Sequence, residues 1–253
     1  MPGSPAARLF NLCLVVSAWA LAVGPTTAAL PVARSHEGQW VTIVEDDFEG
    51  EFPGPWDVGG HPSFSGEYHW QPRDCRVLGG SYSAWAVGGG TDGSLLACGS
   101  EYPNYLYSYM VHGPFSLEDA TAAEMTFQLW LRSEPLTDLF YYQYSTTGQY
   151  FWGSPALSGD TGGWVPMRLD LAEVVGEPQV WVAFIFLADE DVQEIEGAYV
   201  DNVLLRKHVG GETPTPTPTA TLPVPNHRVY LPVVTKHISR WTAVSSPPLA
   251  RLR

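Results

Sequence analysis

The residues best suited to chemistry in this chain are flat aromatic rings. The sequence holds 10 Trp, 12 Tyr and 10 Phe. Trp and Tyr rings stack on the apolar faces of sugars and keep one polar atom free to hydrogen-bond. Trp130, Tyr141 and Trp152 are the candidates for such a binding face. Trp130 is the most suggestive, because it sits on the otherwise polar side of the segment Glu124–Arg132. The same rings serve equally well as core filling, the use that burial statistics favour for any single Trp. The stripe Tyr105, Tyr107, Tyr109 suits a core better than a platform.

Catalytic patterns are missing. No HExxH pair is present to hold zinc and no G-x-S-x-G elbow to raise a nucleophile. In SGDTGG (158–163) a Thr stands where a serine-peptidase loop has its nucleophile, with no His/Asp context. His61, His69 and His112 have no paired spacing. The GGG run at 88–90 is no phosphate-binding G-x-G-x-x-G. Asp189, Glu190, Asp191, Glu194 and Glu196 do not fit an EF-hand, since Glu194 stands where that loop needs Gly; they read as a solvated loop. A pair of carboxylates at glycosidase separation is the one catalytic device that spacing in sequence does not exclude. The expectation is a chain that is not an enzyme.

Charge and cysteine content set the surroundings. The 253 residues carry 13 basic and 27 acidic side chains, a formal net charge of −14. A balance so acidic excludes a nucleic-acid binder, which needs Lys and Arg for phosphates. Residues 9–23 form an uncharged apolar stretch preceded by Arg8 and followed by small residues up to Ala29. That is the pattern of a secretory signal, and it is short of the roughly 20 residues of a membrane span. No later stretch is apolar enough to span, so the expected mature chain is secreted, extracellular or cell-surface associated. Cys13 falls in the signal, and Cys75 and Cys98 remain as an even pair in an oxidising compartment. Bridged, they would stabilise the fold by roughly 3 kcal/mol in the chain-entropy picture. A metal site would need more ligands than this pair offers.

These residues must be positioned by strands. Met125, Phe127, Leu129 and Leu131 alternate with mostly polar neighbours. Segments 40–44, 105–111, 139–145, 150–152, 164–171 and 198–205 continue the pattern, and His112-Gly113-Pro114 reads as the end of one of them. Val180–Ala188 is apolar throughout, as in a strand buried on both faces or one whose second face lies in a ligand groove. Leu117–Ala123 is the one plausible helical turn. The fold class expected is all-β: an antiparallel β-sandwich of the jelly-roll type, concanavalin- or galactose-binding-like. The organisation reads as signal peptide 1–29, lead-in 30–44, sandwich 45–210, Thr/Pro-rich stalk 211–226, and a short apolar strand with a basic tail at 227–253. The stalk core TPTPTPTAT is an extended, semi-rigid spacer. The span 45–207 holds 25 acidic and 6 basic residues, a net of −19, whereas 213–253 holds 5 basic and none acidic. RVYLPVV (228–234) reads either as a docking strand or as a sticky tail.

DDFEGEFPGPW (46–56) and GAYVDNVLL (197–205) resemble the two ends of MAM-like and carbohydrate-module-like jelly rolls. GSYSAWAVGGG (80–90) and the run from Tyr102 to Glu134 extend the likeness, which is nearest to accessory domains of secreted peptidases of the immune inhibitor A type. The resemblance implies a non-catalytic module with a structural calcium joining the first and last strands. The matching ligands here are Asp47 or Glu49 and Asp201, with loop oxygens from Gly88–Asp92, Asp92 included. Where relatives often carry a second Asp, this chain has Asn202. Calcium takes six to eight hard oxygens, so a mixed carboxylate and carbonyl set is chemically sound; the same acids could equally be solvated turn caps. The function expected is extracellular binding or adhesion to carbohydrate or a protein surface. A purely structural accessory domain and a hydrolase with an unrecognised carboxylate pair are the alternatives.

Overall fold

A computed structural model describes residues 38–61, 66–191, 194, 196–210 and the backbone of 229–230. The expected signal segment, the stalk and, apart from residues 229–230, the tail lie outside the described residues. Twelve strands are β1 (Gln39–Asp46), β2 (Asp57–His61), β3 (His69–Arg73), β4 (Ser83–Gly89), β5 (Tyr107–Phe115), β6 (Ala120–Arg132), β7 (Leu139–Ser145), β8 (Tyr150–Gly153), β9 (Val165–Asp170), β10 (Val180–Leu187), β11 (Gly197–Val209) and β12 (Val229–Tyr230). They form two antiparallel sheets. The first runs β3-β4-β11-β6-β9, with β1 also paired to β11; the second runs β12-β8-β7-β10-β5-β2. The expected β-sandwich is the fold that forms.

The alternation in β6 explains the core. Met125, Phe127, Leu129 and Leu131 point inward and are buried against Phe140, Phe184 and Phe186 from the facing sheet. Phe127 meets Phe184 edge-to-face with centroids 4.8 Å apart, an arrangement the ring quadrupoles favour. β10 is buried on both faces: Val182, Phe184 and Phe186 belong to the central core, Ala183 and Ile185 to a second cluster on the outer side of the sheet.

Several local expectations change. Gln39–Asp46 pairs with β11 along its length, so the sandwich begins within the stretch read as lead-in. β5 runs through His112-Gly113-Pro114 to Phe115. The anticipated helical turn at Leu117–Ala123 gives way to the start of β6, which pairs Ala120 with Val209; pairing with β11 overrides weak local preference. Helical turns occur instead at Gly90–Gly93 and, as 3₁₀, at Ala172–Val174. The segment between β3 and β4 folds over the outer face of the first sheet. It carries Cys75, bridged to Cys98 with Cα atoms 5.1 Å apart.

Candidate functional site

A lateral groove lies between the β7–β8 hairpin of the second sheet and β9 of the first. It holds about 490 Å³ and is lined on one side by Tyr142, Tyr144 and Trp152 from β7 and β8. Arg168, Asp170 and Glu173 from β9 and the 3₁₀ turn line the other. That volume is within the usual range for small-molecule sites. Local structure sets each group. Gly153 adopts φ 130°, and a Cβ there would meet the Tyr144 ring at 3.0 Å, so only glycine lets β8 lie this close. Trp152 is half-buried and edge-on to Tyr144, with centroids 5.3 Å apart. The Tyr144 hydroxyl donates to Glu173 Oε2 at 2.7 Å. Burial, then that hydrogen bond, pushes the phenol up, so Tyr144 stays a neutral donor. Arg168 Nε donates to Glu124 Oε2 at 2.6 Å and its Nη1 lies 3.6 Å from Asp170. Asp170 Oδ1 accepts the Ala172 N–H at 3.0 Å and so caps the 3₁₀ turn. The groove thus joins aromatic edges to a fixed guanidinium, two exposed carboxylates and the Ser154 hydroxyl.

The other candidate rings are placed differently. Trp130 is only 7% exposed. The Arg76 guanidinium, from the segment after β3, lies 4.1 Å over its ring, and Tyr199 packs against its edge. The ring that breaks the polar side of β6 is therefore roofed by a loop 54 residues earlier in the chain, and it is not presented to solvent. Tyr141 is 3% exposed and belongs with Tyr109, Phe151, Ala183 and Ile185 to the cluster outside the second sheet. Of the three rings singled out in the sequence, Trp152 alone lines the groove. Arg168, Asp170 and Glu173 carried no local signal, because their meeting with β8 depends on the sheets crossing. A second groove of about 460 Å³ lies between β2 and β3, lined by Tyr68, Tyr109, His61, Glu67 and His69.

Among the described residues, the groups of three side-chain ligand atoms that lie within 4.8 Å of one another do not include Asp47, Glu49, Asp92 or Asp201. Asp92 turns to the Glu67 N–H at 2.8 Å, on the helical turn after β4. Glu49 Oε1 accepts the N–H groups of Ser81 and Tyr82 at 2.6 and 2.8 Å. Asp201, 1% exposed, accepts Leu78 N–H at 3.2 Å and Asn202 N–H at 2.7 Å. Glu49, after β1, and Asp201, within β11, thus both grip the loop 78–82 directly. Burial pushes the Asp201 carboxyl up, the backbone donors oppose this, and nearby Asp47 adds to the rise. Asp47 and Asp201 together are a buried and an exposed carboxylate of like charge, an arrangement that a hard cation would relieve. Elsewhere, Glu134, Asp138 and Asp189 bring carboxylate oxygens within 4.8 Å of one another.

No family model matches this chain, and no curated protein matches it. Solved structures are similar at low identity. A cleaved adhesin domain of Lys-gingipain from Porphyromonas gingivalis shares 16% identity at TM-score 0.43, over 66% of this chain and 98% of that one. A family 11 carbohydrate-binding module of a cellulosomal cellulase from Clostridium thermocellum shares 10% identity at TM-score 0.39, over 68% and 95% of the two chains. The class to which this chain is assigned, an antiparallel β-sandwich, follows from its own strand pairing. Among the described residues no helix is long and apolar enough to cross a membrane.

Proposed function

We propose that the protein is a secreted, non-catalytic binding module whose lateral groove takes carbohydrate. The observation that carries this reading is the make-up of the groove: the half-buried Trp152 supplies apolar ring surface, while Arg168, Asp170, Glu173 and Ser154 supply donors and acceptors at its rim. Pyranose rings need that combination, with C–H faces for the aromatics and hydroxyls for the polar groups. The alternative use of two carboxylates, glycoside hydrolysis, fits less well. It needs one acid kept protonated and free to reach the glycosidic oxygen. Here Asp170 caps a turn beside Arg168 and Glu173 accepts the Tyr144 hydroxyl. The test is retention of the full chain on insoluble polysaccharides, followed by titration with soluble oligosaccharides. Trp152→Ala should weaken binding at least tenfold, which is about 1.4 kcal/mol, in a variant that still unfolds cooperatively. Equal retention of the variant would remove the groove as the site.

The resemblance to MAM-like jelly rolls adds a structural calcium near the end of β1. Asp47 and Asp201 would hold it. Such an ion supplies charge neutralisation where like-charged carboxylates meet. Chelation should then lower the unfolding midpoint, and added calcium should restore it; a midpoint indifferent to both rejects the ion and leaves the loop 78–82 as the clip.

A further inference from the structure

The charges along the lateral groove do not balance. Arg168 faces Glu124 at 2.6 Å and Asp170 at 3.6 Å, and Arg206 also donates to Glu124 at 2.8 Å. Two guanidinium groups are thus shared between two carboxylates. Glu173 is the third carboxylate, and among the described residues no ion pair includes it. Its partner is a neutral phenol: the Tyr144 hydroxyl donates to Glu173 Oε2 at 2.7 Å. Tyr144 is 3% exposed, so this contact holds the carboxylate at the groove wall, where a free surface glutamate would swing out into solvent. A carboxylate has about four acceptor sites, and the phenol takes one. The half-buried Trp152 ring adjoins the same tyrosine, edge-on with centroids 5.3 Å apart. An apolar ring and an oriented negative charge without a cation therefore flank one buried residue. Around them the span 45–207 holds 25 acidic and 6 basic residues, a field that repels anions and attracts cations.

We propose that the groove selects saccharides that carry a protonated amine, of the glucosamine type, and rejects uronic acids. This rests on the reading of the groove as a carbohydrate site and adds the charge of its ligand. An ammonium has three donors and no acceptor. A sugar ring stacked on Trp152 brings such a group beside Glu173, and the indole face attracts the same charge. A neutral sugar hydroxyl also donates to Glu173 but leaves its charge uncompensated. A uronate carboxylate meets like charge there. Arg168 already faces two carboxylates, so its charge does not open the groove to anions. Glu173 is thereby the residue that sets specificity.

The test is titration calorimetry of the full chain at pH 6 with β-1,4-linked oligosaccharides of glucosamine, of glucose and of a uronic acid. The glucosamine oligomer should bind about fivefold tighter than the glucose oligomer, the scale of one partly exposed ion pair, and the uronate weakest of the three. Glu173→Gln keeps an acceptor for Tyr144 and should bring the glucosamine-to-glucose ratio to about one, whatever it does to each affinity. Raising salt from 0.1 M to 1 M shortens the screening length from about 10 Å to about 3 Å and should shrink the ratio in the parent chain, a readout that needs no variant to fold. A parent ratio of one or less, or a ratio that Glu173→Gln leaves unchanged, overturns the charge selection while the carbohydrate site stands. So does an equal loss of the ratio in Glu51→Gln, an exposed acid outside the groove, which would assign the preference to net charge. Binding of none of the three, with retention on another polysaccharide that Trp152→Ala abolishes, overturns the amine selection alone. No retention on any polysaccharide removes the carbohydrate reading as well.

Discussion

Two of the regions in which this sandwich buries carboxylates solve the problem in opposite ways. Glu124, on the outer side of β6, is 7% exposed and clasped by two arginines. Arg206, directly across in β11, donates from Nε to Oε1 at 2.8 Å and also from Nη2. Arg168 from β9 donates to Oε2 at 2.6 Å. Burial alone would raise the Glu124 carboxyl, but the two guanidinium groups outweigh it and hold it below the usual range. At the end of the sandwich where β6 turns into β7, Glu134, Asp138 and Asp189 meet with neutral donors instead. Asp138 accepts the Tyr102 hydroxyl and the Asp189 N–H, and Glu134 Oε2 is buried without a donor. Burial raises the Asp138 carboxyl, its two donors oppose this, and Asp189 and Glu134 add to the rise. The contrast shows that burial alone does not decide in which direction a carboxyl shifts here. The neighbouring strand does, by presenting a cation or failing to.

The largest effect should come from breaking the clasp. Glu124→Ala leaves Arg206 and Arg168 facing each other across β6. Because both arginines are partly exposed, the loss should be about 2 kcal/mol, less than for a fully buried pair, and urea unfolding would measure it. The sign with pH follows from the lowered carboxyl. The clasp is fully present above the unfolded Glu value of about 4.3 and is lost as pH falls through the lower folded value. A variant as stable as the parent at pH 7 would show that the arginines merely decorate the sheet. Arg168 also lines the groove, so the same variant should weaken oligosaccharide binding, though less than Trp152→Ala.

The two regions also differ in how far they could be read from sequence. The alternation of Met125 to Leu131 placed β6 and its inward face directly, and the apolar run at Val180–Ala188 announced a strand, though not whether its second face is closed or lies in a groove. The cysteine pair needed only parity and compartment. Glu124 and Arg206 are 82 residues apart and meet only because β6 and β11 share a register. Trp130 was the most suggestive binding ring because its neighbours on that side of β6 are polar; the roof over it comes from Arg76, which no local pattern announces. The groove was half legible: Trp152 stood out by its chemistry, whereas Arg168, Asp170 and Glu173 looked like ordinary surface charges until β9 came to lie beside β8.

A middle-sized effect should come from neutralising Asp138. A carboxyl raised in the folded state binds its proton more tightly there than when unfolded. Stability from this group is therefore greatest below the unfolded Asp value of about 3.9 and falls as pH rises through the folded value. Asp138→Asn keeps Oδ1 for the Asp189 N–H and removes the charge. It should stabilise the protein by about 1 kcal/mol at pH 8 and flatten the pH dependence of the midpoint. Equal destabilisation at pH 5 and pH 8 would mean that the hydrogen bond from Tyr102, and not the charge, governs the site.

The smallest effect should come from Glu134→Gln. The change trades a carboxylate for an amide of the same shape and removes one of three like charges. It also offers an N–H₂ group to the crowd of oxygens around Asp138. The expected gain is about 0.5 kcal/mol at neutral pH, close to the limit of thermal unfolding measurements, so the sharper readout is the double variant with Asp138→Asn. If the two residues share one electrostatic problem, the gains fall short of additive, because the first neutralisation already relieves the second. Full additivity would mean that Glu134 and Asp138 do not feel each other, and the contrast with the Glu124 clasp would then reduce to a single buried aspartate.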